Sequence, residues 1–210
     1  LNVNANLSEQ KPCEIFDEDL DLHGTAVAGV IAADPFDGGV GGIASTVLRN
    51  KIALICGDAQ KLSVNALEHG KNSVIEALST IDRAAAAGAD VLNCSFGWDK
   101  KNHSFIKPKV FENMNKIWKK VFQTHADKLF VLAAGNEGMY ISQDNYAPVN
   151  DEGISNPFDN VIQVGGHVAC NPLTKDASSN FGHNEIYAPY DVNVIESQSS
   201  PTGLDRHQGT

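Results

Sequence analysis

Three apolar runs interrupt the polar chain, and each is closed by glycine. They are Asp90-Val91-Leu92-Asn93-Cys94-Ser95-Phe96-Gly97, Leu129-Phe130-Val131-Leu132-Ala133-Ala134-Gly135-Asn136-Glu137-Gly138, and Val161-Ile162-Gln163-Val164-Gly165. Their length and their β-branched and aromatic content predict buried strands rather than helices. Lys51 to Cys56 reads as a further buried strand. Between these runs the apolar residues recur at helical spacing. Val74, Leu78, Ile81 and Ala85 predict a helix from about Asn72 to Ala87, ended by Gly88. Val110, Met114, Ile117 and Val121 form a stripe from about Pro108 to Ala126, widened by Phe111, Trp118 and Phe122, with Lys109, Lys116, Lys119 and Lys120 on the solvated face. A short helix of small residues opens at His23, with Asp21 and Thr25 as capping candidates, and reads as buried; Asp34-Pro35 ends it. Residues 1–20 are polar and acidic, 38–42 form a glycine-rich loop, and Met139 to Asn156 reads as a surface loop. The alternation of strand and helix predicts an α/β fold: a doubly wound, mostly parallel sheet with helices on both faces.

Composition narrows the function. With 210 residues, 42% hydrophobic and 20% charged, the chain has enough apolar material for one domain with a substantial core. A net charge of −10 argues against a nucleic-acid surface, which needs clustered Lys and Arg. No run is long enough to be a membrane segment. Cys13, Cys56, Cys94 and Cys170 form no CxxC pair; Cys56 and Cys94 end apolar runs and read as buried thiols, while a Cys13 to Cys170 pairing stays open. The seven histidines show no metal-ligand spacing, so no metal site is expected from them. A nucleotide-binding domain is disfavoured, because the glycine-rich loop has neither the Lys-Ser/Thr pair nor the GxGxxG spacing of a phosphate cradle.

Two residues carry candidate chemistry. His23 stands at a helix start, where an imidazole can act as general base; the alternative is a histidine that merely caps the helix. Asn136 follows a strand's carboxyl end, where reacting groups of parallel sheets gather, and its amide can donate to an oxyanion; the alternative is an Asn kept for its turn conformation.

In order along the chain, HGTAVAG (His23 to Gly29), VLNCSFG (Val91 to Gly97) and VLAAGNEG (Val131 to Gly138) resemble the motifs of the subtilisin-like serine proteases, the subtilase family. The resemblance implies that His23 is the catalytic base, that Asn136 donates to the oxyanion, and that Ser95, Phe96 and Gly97 pair with an extended polypeptide substrate. Selectivity is then expected from a pocket walled by Ser95 to Gly97 and by Ala133, Ala134 and Gly135. Glu137 at its rim reads as a solvated loop carboxylate; the alternative is a rim charge that favours basic side chains. Val161 to Gly165 resembles the family's next core strand, Ala177 to Gly182 its serine-rich loop, and Gly209-Thr210 the pair immediately before the nucleophile. Tyr190 follows Ala188-Pro189 where the family has glycine, a departure at a local turn.

The resemblance also implies that residues 1–210 are a partial peptidase domain, lacking the N-terminal aspartate segment and the C-terminal serine segment, and inactive alone. The expected activity of the complete protein is Ser-His-Asp endopeptidase; the alternative is a non-catalytic interaction module on the same scaffold. A calcium site is doubtful, since Phe36 replaces a side-chain ligand, although Asp34 and Asp37 lie nearby. A pro-region in the full-length protein and a secreted or periplasmic location are further expectations of the resemblance alone.

Overall fold

A computed structural model describes residues 23–33, 41–44, 52–55, 66–150, 158–168, 174–183, 186–195 and 204–210. The chain divides into two compact units, one of residues 1–89 and 192–207, the other of residues 90–191 and 208–210.

In the first unit, α1 (His23–Ala32) and α2 (Ala66–Ala86) are the long helices. Of the residues in α1 only Ala26 is buried, and His23, Gly24 and Thr25 are exposed, so the helix is less buried than its small apolar residues predict. Helix α2 starts before the predicted Asn72 and carries Gly70 in its interior. Glycine there costs helix stability without breaking the hydrogen-bond ladder. Its buried face is Val74, Ala77, Ile81 and Ala84 rather than the predicted set with Leu78 and Ala85, which are half-buried. Residues 52–55 form no ladder with any described strand, and Ala53 is exposed. An apolar run of four supplies burial but becomes a strand only where a neighbour accepts its hydrogen bonds.

The second unit is built on a four-stranded sheet in the order β1 (Val91–Cys94), β3 (Leu129–Ala133), β5 (Val161–His167), β6 (Ile186–Pro189), with every pair parallel. A small antiparallel ladder joins β2 (Trp98–Asp99) to β4 (Tyr146–Ala147). Strands β7 (Asp191–Ile195) and β8 (Leu204–Gln208) pair separately. The predicted parallel sheet with helices is therefore observed. Strand β1 lies at one end of the strand order and is buried on one side only: Leu92 and Cys94 face inward, Val91 and Asn93 outward. It is not the fully buried strand that its composition predicts.

Helix α3 (Pro108–Thr124) connects β2 to β3, with Pro108 at its first turn and His125 closing it through a bond from its N–H to the Val121 carbonyl. The aromatic residues that only widened the predicted stripe are its core: Phe111, Trp118 and Phe122 are buried, together with Met114 of the stripe itself, while Val110 and Ile117 are nearly half exposed. Trp118 and Phe122 join a chain of rings. Phe96 stacks near Trp98 and Trp118, Trp118 near Phe122, and Phe122 edge-on to Phe130 at 4.9 Å. At the end of α3, the Asn160 amide donates to the carbonyls of Phe122, His125 and Lys128, which satisfies groups a helix terminus leaves open.

The segment after Gly138 is not a surface loop. Ile141 and Tyr146 to Asn150 are buried, and their backbone is paired by buried side chains. Asn115 of α3 donates to the Gln143 and Tyr146 carbonyls and accepts from the Val149 N–H, while Gln163 of β5 accepts from Asn150 N–H and donates to the Ala133 and Pro148 carbonyls. Polar composition here serves backbone satisfaction inside the core rather than solvation.

Candidate active site

Parallel pairing fixes the site's frame. The register sets Cys94 beside Leu132, so the residues that follow, Ser95 to Gly97 and Ala133 to Gly135, leave the same edge of the sheet side by side. The two segments expected to wall a substrate pocket are thus brought together. Within the first, the Ser95 hydroxyl accepts a bond from the Asn93 amide, and the Phe96 ring sits against Trp98. Cys94, at the base, is buried as expected, and burial pushes its thiol up to about 12. Cys13, Cys56 and Cys170, and with them the open pairing, lie outside the described residues, as do Phe36, Asp34 and Asp37.

After β3 the chain turns through Gly135, whose φ of +95° is a conformation other residues adopt only with strain. Asn136 follows, exposed. Its carbonyl oxygen accepts two bonds from Thr210, from the N–H at 3.0 Å and the hydroxyl at 3.2 Å, while the Thr210 hydroxyl oxygen accepts from the Gly135 N–H at 2.8 Å. The orientation of the amide is thereby settled: a backbone N–H can only face the oxygen. Its nitrogen is left pointing the other way, and Asn136 Nδ2 makes no hydrogen bond among the described residues.

Tyr190, where the resemblance expects glycine, helps to dock this terminal pair. Its carbonyl accepts from Gly209 N–H at 3.0 Å, and its ring lies against Gly166, with Cβ and Cγ each 3.0 Å from where a Cβ would stand. The larger residue is accommodated because its neighbour on β5 has no side chain.

Two residues that sequence reasoning did not single out hold the turn. Asn180, fully buried in the serine-rich loop, accepts from the N–H groups of Glu137 and Met139 and donates to the Ala134 carbonyl and to Glu137 Oε2 at 2.6 Å. Its own N–H bonds to the Gly135 carbonyl. Nothing in the local sequence announces this, because the partners of these bonds lie more than 40 residues away. Glu137 is correspondingly not a solvated rim carboxylate. It is half-buried, accepting from Asn136 N–H, Asn180 and Asn102.

Tyr146 is the second. Its ring is buried beside both glycines of the frame, and its hydroxyl donates to the Ala133 carbonyl at 3.2 Å. Burial first, then the nearby Glu137 and Asp99 charges, raises its pKa above the ordinary tyrosine value. The available signal was the apolar patch Tyr146-Ala147-Pro148-Val149 within an otherwise polar stretch.

His23 belongs to the first unit, exposed at the first position of α1. Among the described residues no cluster of His, Cys, Asp or Glu could hold a metal ion, and no helix is long and apolar enough to cross a membrane.

Solved structures to which the chain is similar include the prenylagaramide maturation protease PagA (19% identity, TM-score 0.46, covering 65% of this chain and 43% of that one), a lanthipeptide protease (17%, 0.43, 65% and 46%), and the PatG macrocyclase in complex with peptide (18%, 0.45, 68% and 38%). It spans less than half the length of each of them. No curated protein matches it. The family model described as the Subtilase family, of the S8 peptidases, matches residues 3–210. With that match over nearly the whole sequence and the parallel sheet presenting VLNCSFG and VLAAGNEG at one edge, the chain belongs to the subtilase family.

Proposed function

We propose that residues 1–210 are part of the catalytic domain of a serine endopeptidase that hydrolyses extended polypeptides. The observation that carries the reading is the Asn136 amide, whose oxygen is tied down by Thr210 while its nitrogen has no partner among the described residues. A donor held in one orientation before substrate arrives is what stabilises a tetrahedral oxyanion without reorganisation during the reaction. An Asn kept only for its turn has no need of a pinned side chain with an open N–H.

In this reading the residue that follows Thr210 is the serine nucleophile, as in the family motif, and is delivered beside that donor. His23 takes its proton and returns it to the leaving amine, and an aspartate outside residues 1–210 holds the imidazole in the required tautomer. The substrate backbone pairs with Ser95 to Gly97, which makes main-chain recognition tolerant of sequence. Labelling of the full-length protein with a fluorophosphonate tests the proposal. Stoichiometric modification of the serine after Thr210, lost in His23→Ala, is the expected result. No labelling together with no hydrolysis of unfolded casein would overturn it.

A further inference from the structure

The two segments expected to wall the specificity pocket carry glycine at facing positions, Gly97 and Gly135, and the Tyr146 ring occupies the space those glycines leave. A side chain at Gly97 would collide with the Tyr146 hydroxyl and stand 2.7 Å from Cζ; one at Gly135 would come within 2.8 Å of Cε2. The ring therefore touches both walls at once. It is 2% exposed, and Ala134 of the same buried cluster is completely buried, so the space between the two walls is taken up by the protein itself.

Nor is the ring free to leave. Its hydroxyl is bonded to the Ala133 carbonyl, and the backbone at 146 is held by the Asn115 amide at 2.7 Å and by the β2 to β4 ladder. Swinging it out would strip the phenol of a buried acceptor and expose an aromatic face, both unfavourable.

From this geometry we infer that Tyr146 closes the pocket for the residue on the amino side of the scissile bond, and that the protein cleaves after small residues, glycine, alanine or serine, and rejects large apolar ones. The inference rests on the peptidase reading above. Its physical basis is exclusion: a tightly packed site has no room for added methylenes, and an occupied slot discriminates by clash rather than by affinity.

The test uses the full-length protein and fluorogenic peptides that differ only at that residue: glycine, alanine, leucine or phenylalanine. We expect kcat/KM after alanine to exceed that after phenylalanine by at least tenfold. Tyr146→Gly should erase or invert the preference, while Tyr146→Phe, which keeps the ring and drops the hydroxyl, should retain it. Wild-type cleavage after phenylalanine or leucine as fast as after alanine would overturn the inference, as would an unchanged order in a folded Tyr146→Gly protein. If that variant does not fold, peptidyl phosphonates with alanyl or phenylalanyl side chains decide on the wild type alone. Faster labelling by the alanyl reagent supports the closed pocket, and equal or slower labelling refutes it. Absence of both cleavage and labelling would instead bring down the peptidase reading, and the inference with it.

Discussion

Asn180→Leu removes one side chain of similar shape and, with it, four hydrogen bonds around the Asn136 turn: two accepted from the Glu137 and Met139 N–H groups, two donated to the Ala134 carbonyl and the Glu137 carboxylate. A buried polar group stripped of its partner costs about 1–3 kcal/mol. Ala134 is fully buried and bears the whole penalty, whereas Glu137 and Met139 are half-buried and can recover part of theirs from water. The expected destabilisation is about 3–5 kcal/mol, which for a domain of this size is a drop in Tm of about 6–20 °C. Both tryptophans of the chain, Trp98 and Trp118, are buried in the unit that contains Asn180, so tryptophan fluorescence follows the unfolding of that unit specifically. Asn180→Asp sharpens the test. It keeps the two acceptors but sets a second carboxylate against Glu137 Oε2, so one of the pair is held protonated in the folded state, above its unfolded pKa near 4. Stability gained from that proton is full at acid pH and lost as pH rises, so the variant should lie closest to wild type below about pH 4 and furthest from it at neutral pH. A fall of less than about 3 °C for Asn180→Leu, or a pH-independent deficit for Asn180→Asp, would refute the clasp.

Other outcomes follow from the same structure. On the peptidase reading, Asn136→Ala in the full-length protein should lower kcat by roughly a hundred- to a thousandfold with KM barely changed, the loss seen when subtilisin is stripped of one oxyanion donor. Steady-state kinetics and a melting curve on that variant distinguish this from a turn residue, whose loss would lower Tm and leave turnover largely intact. Cys94 should resist iodoacetamide in the native protein at pH 8 and react after denaturation, as read by peptide mass spectrometry, because its thiol ionises only near 12. By the same shift its contribution to stability is complete below the ordinary thiol pKa and declines as pH rises from there toward about 12, so alkaline unfolding should begin earlier than in Cys94→Ala when each is normalised to its neutral stability. Trp118 has a buried indole N–H without a partner among the described residues. Trp118→Phe, which removes that unsatisfied donor, should therefore cost less than about 2 kcal/mol in urea unfolding, against about 3–5 kcal/mol for Trp118→Ala.

The strands β1, β3 and β5 were legible because each apolar run carries its own evidence, and the register that joins them sets the motifs at one edge without further information. Helix α3 was legible in extent but not in phase. Val110 and Ile117 scan as hydrophobic as Trp118 and Phe122, yet only the two rings join the aromatic chain from Phe96 to Phe130. The stretch from Met139 to Asn156 reads as a surface loop for a related reason. Within its described residues, 139–150, the backbone of Gln143, Tyr146 and Val149 is bonded by Asn115 of α3, and a partner 28 to 34 residues away cannot be inferred from a local window. Of the candidate residues, His23 and Asn136 stood out through their motifs; around Asn136, the contacts of Asn180, Glu137 and Tyr146 are long-range and composition does not encode them.

Asn115 illustrates what such a contact does beyond stability. It holds the carbonyl of residue 146 and the N–H of Val149 from a neighbouring helix, through backbone atoms alone. The position of the main chain at 146 is therefore independent of which side chain grows from it. On the peptidase reading, an exchange at this one codon would alter what the cleft admits while the Asn115 bonds keep the main chain in register. Residue 146 is then a socket, and a library confined to it tests new cleavage preferences on one frame.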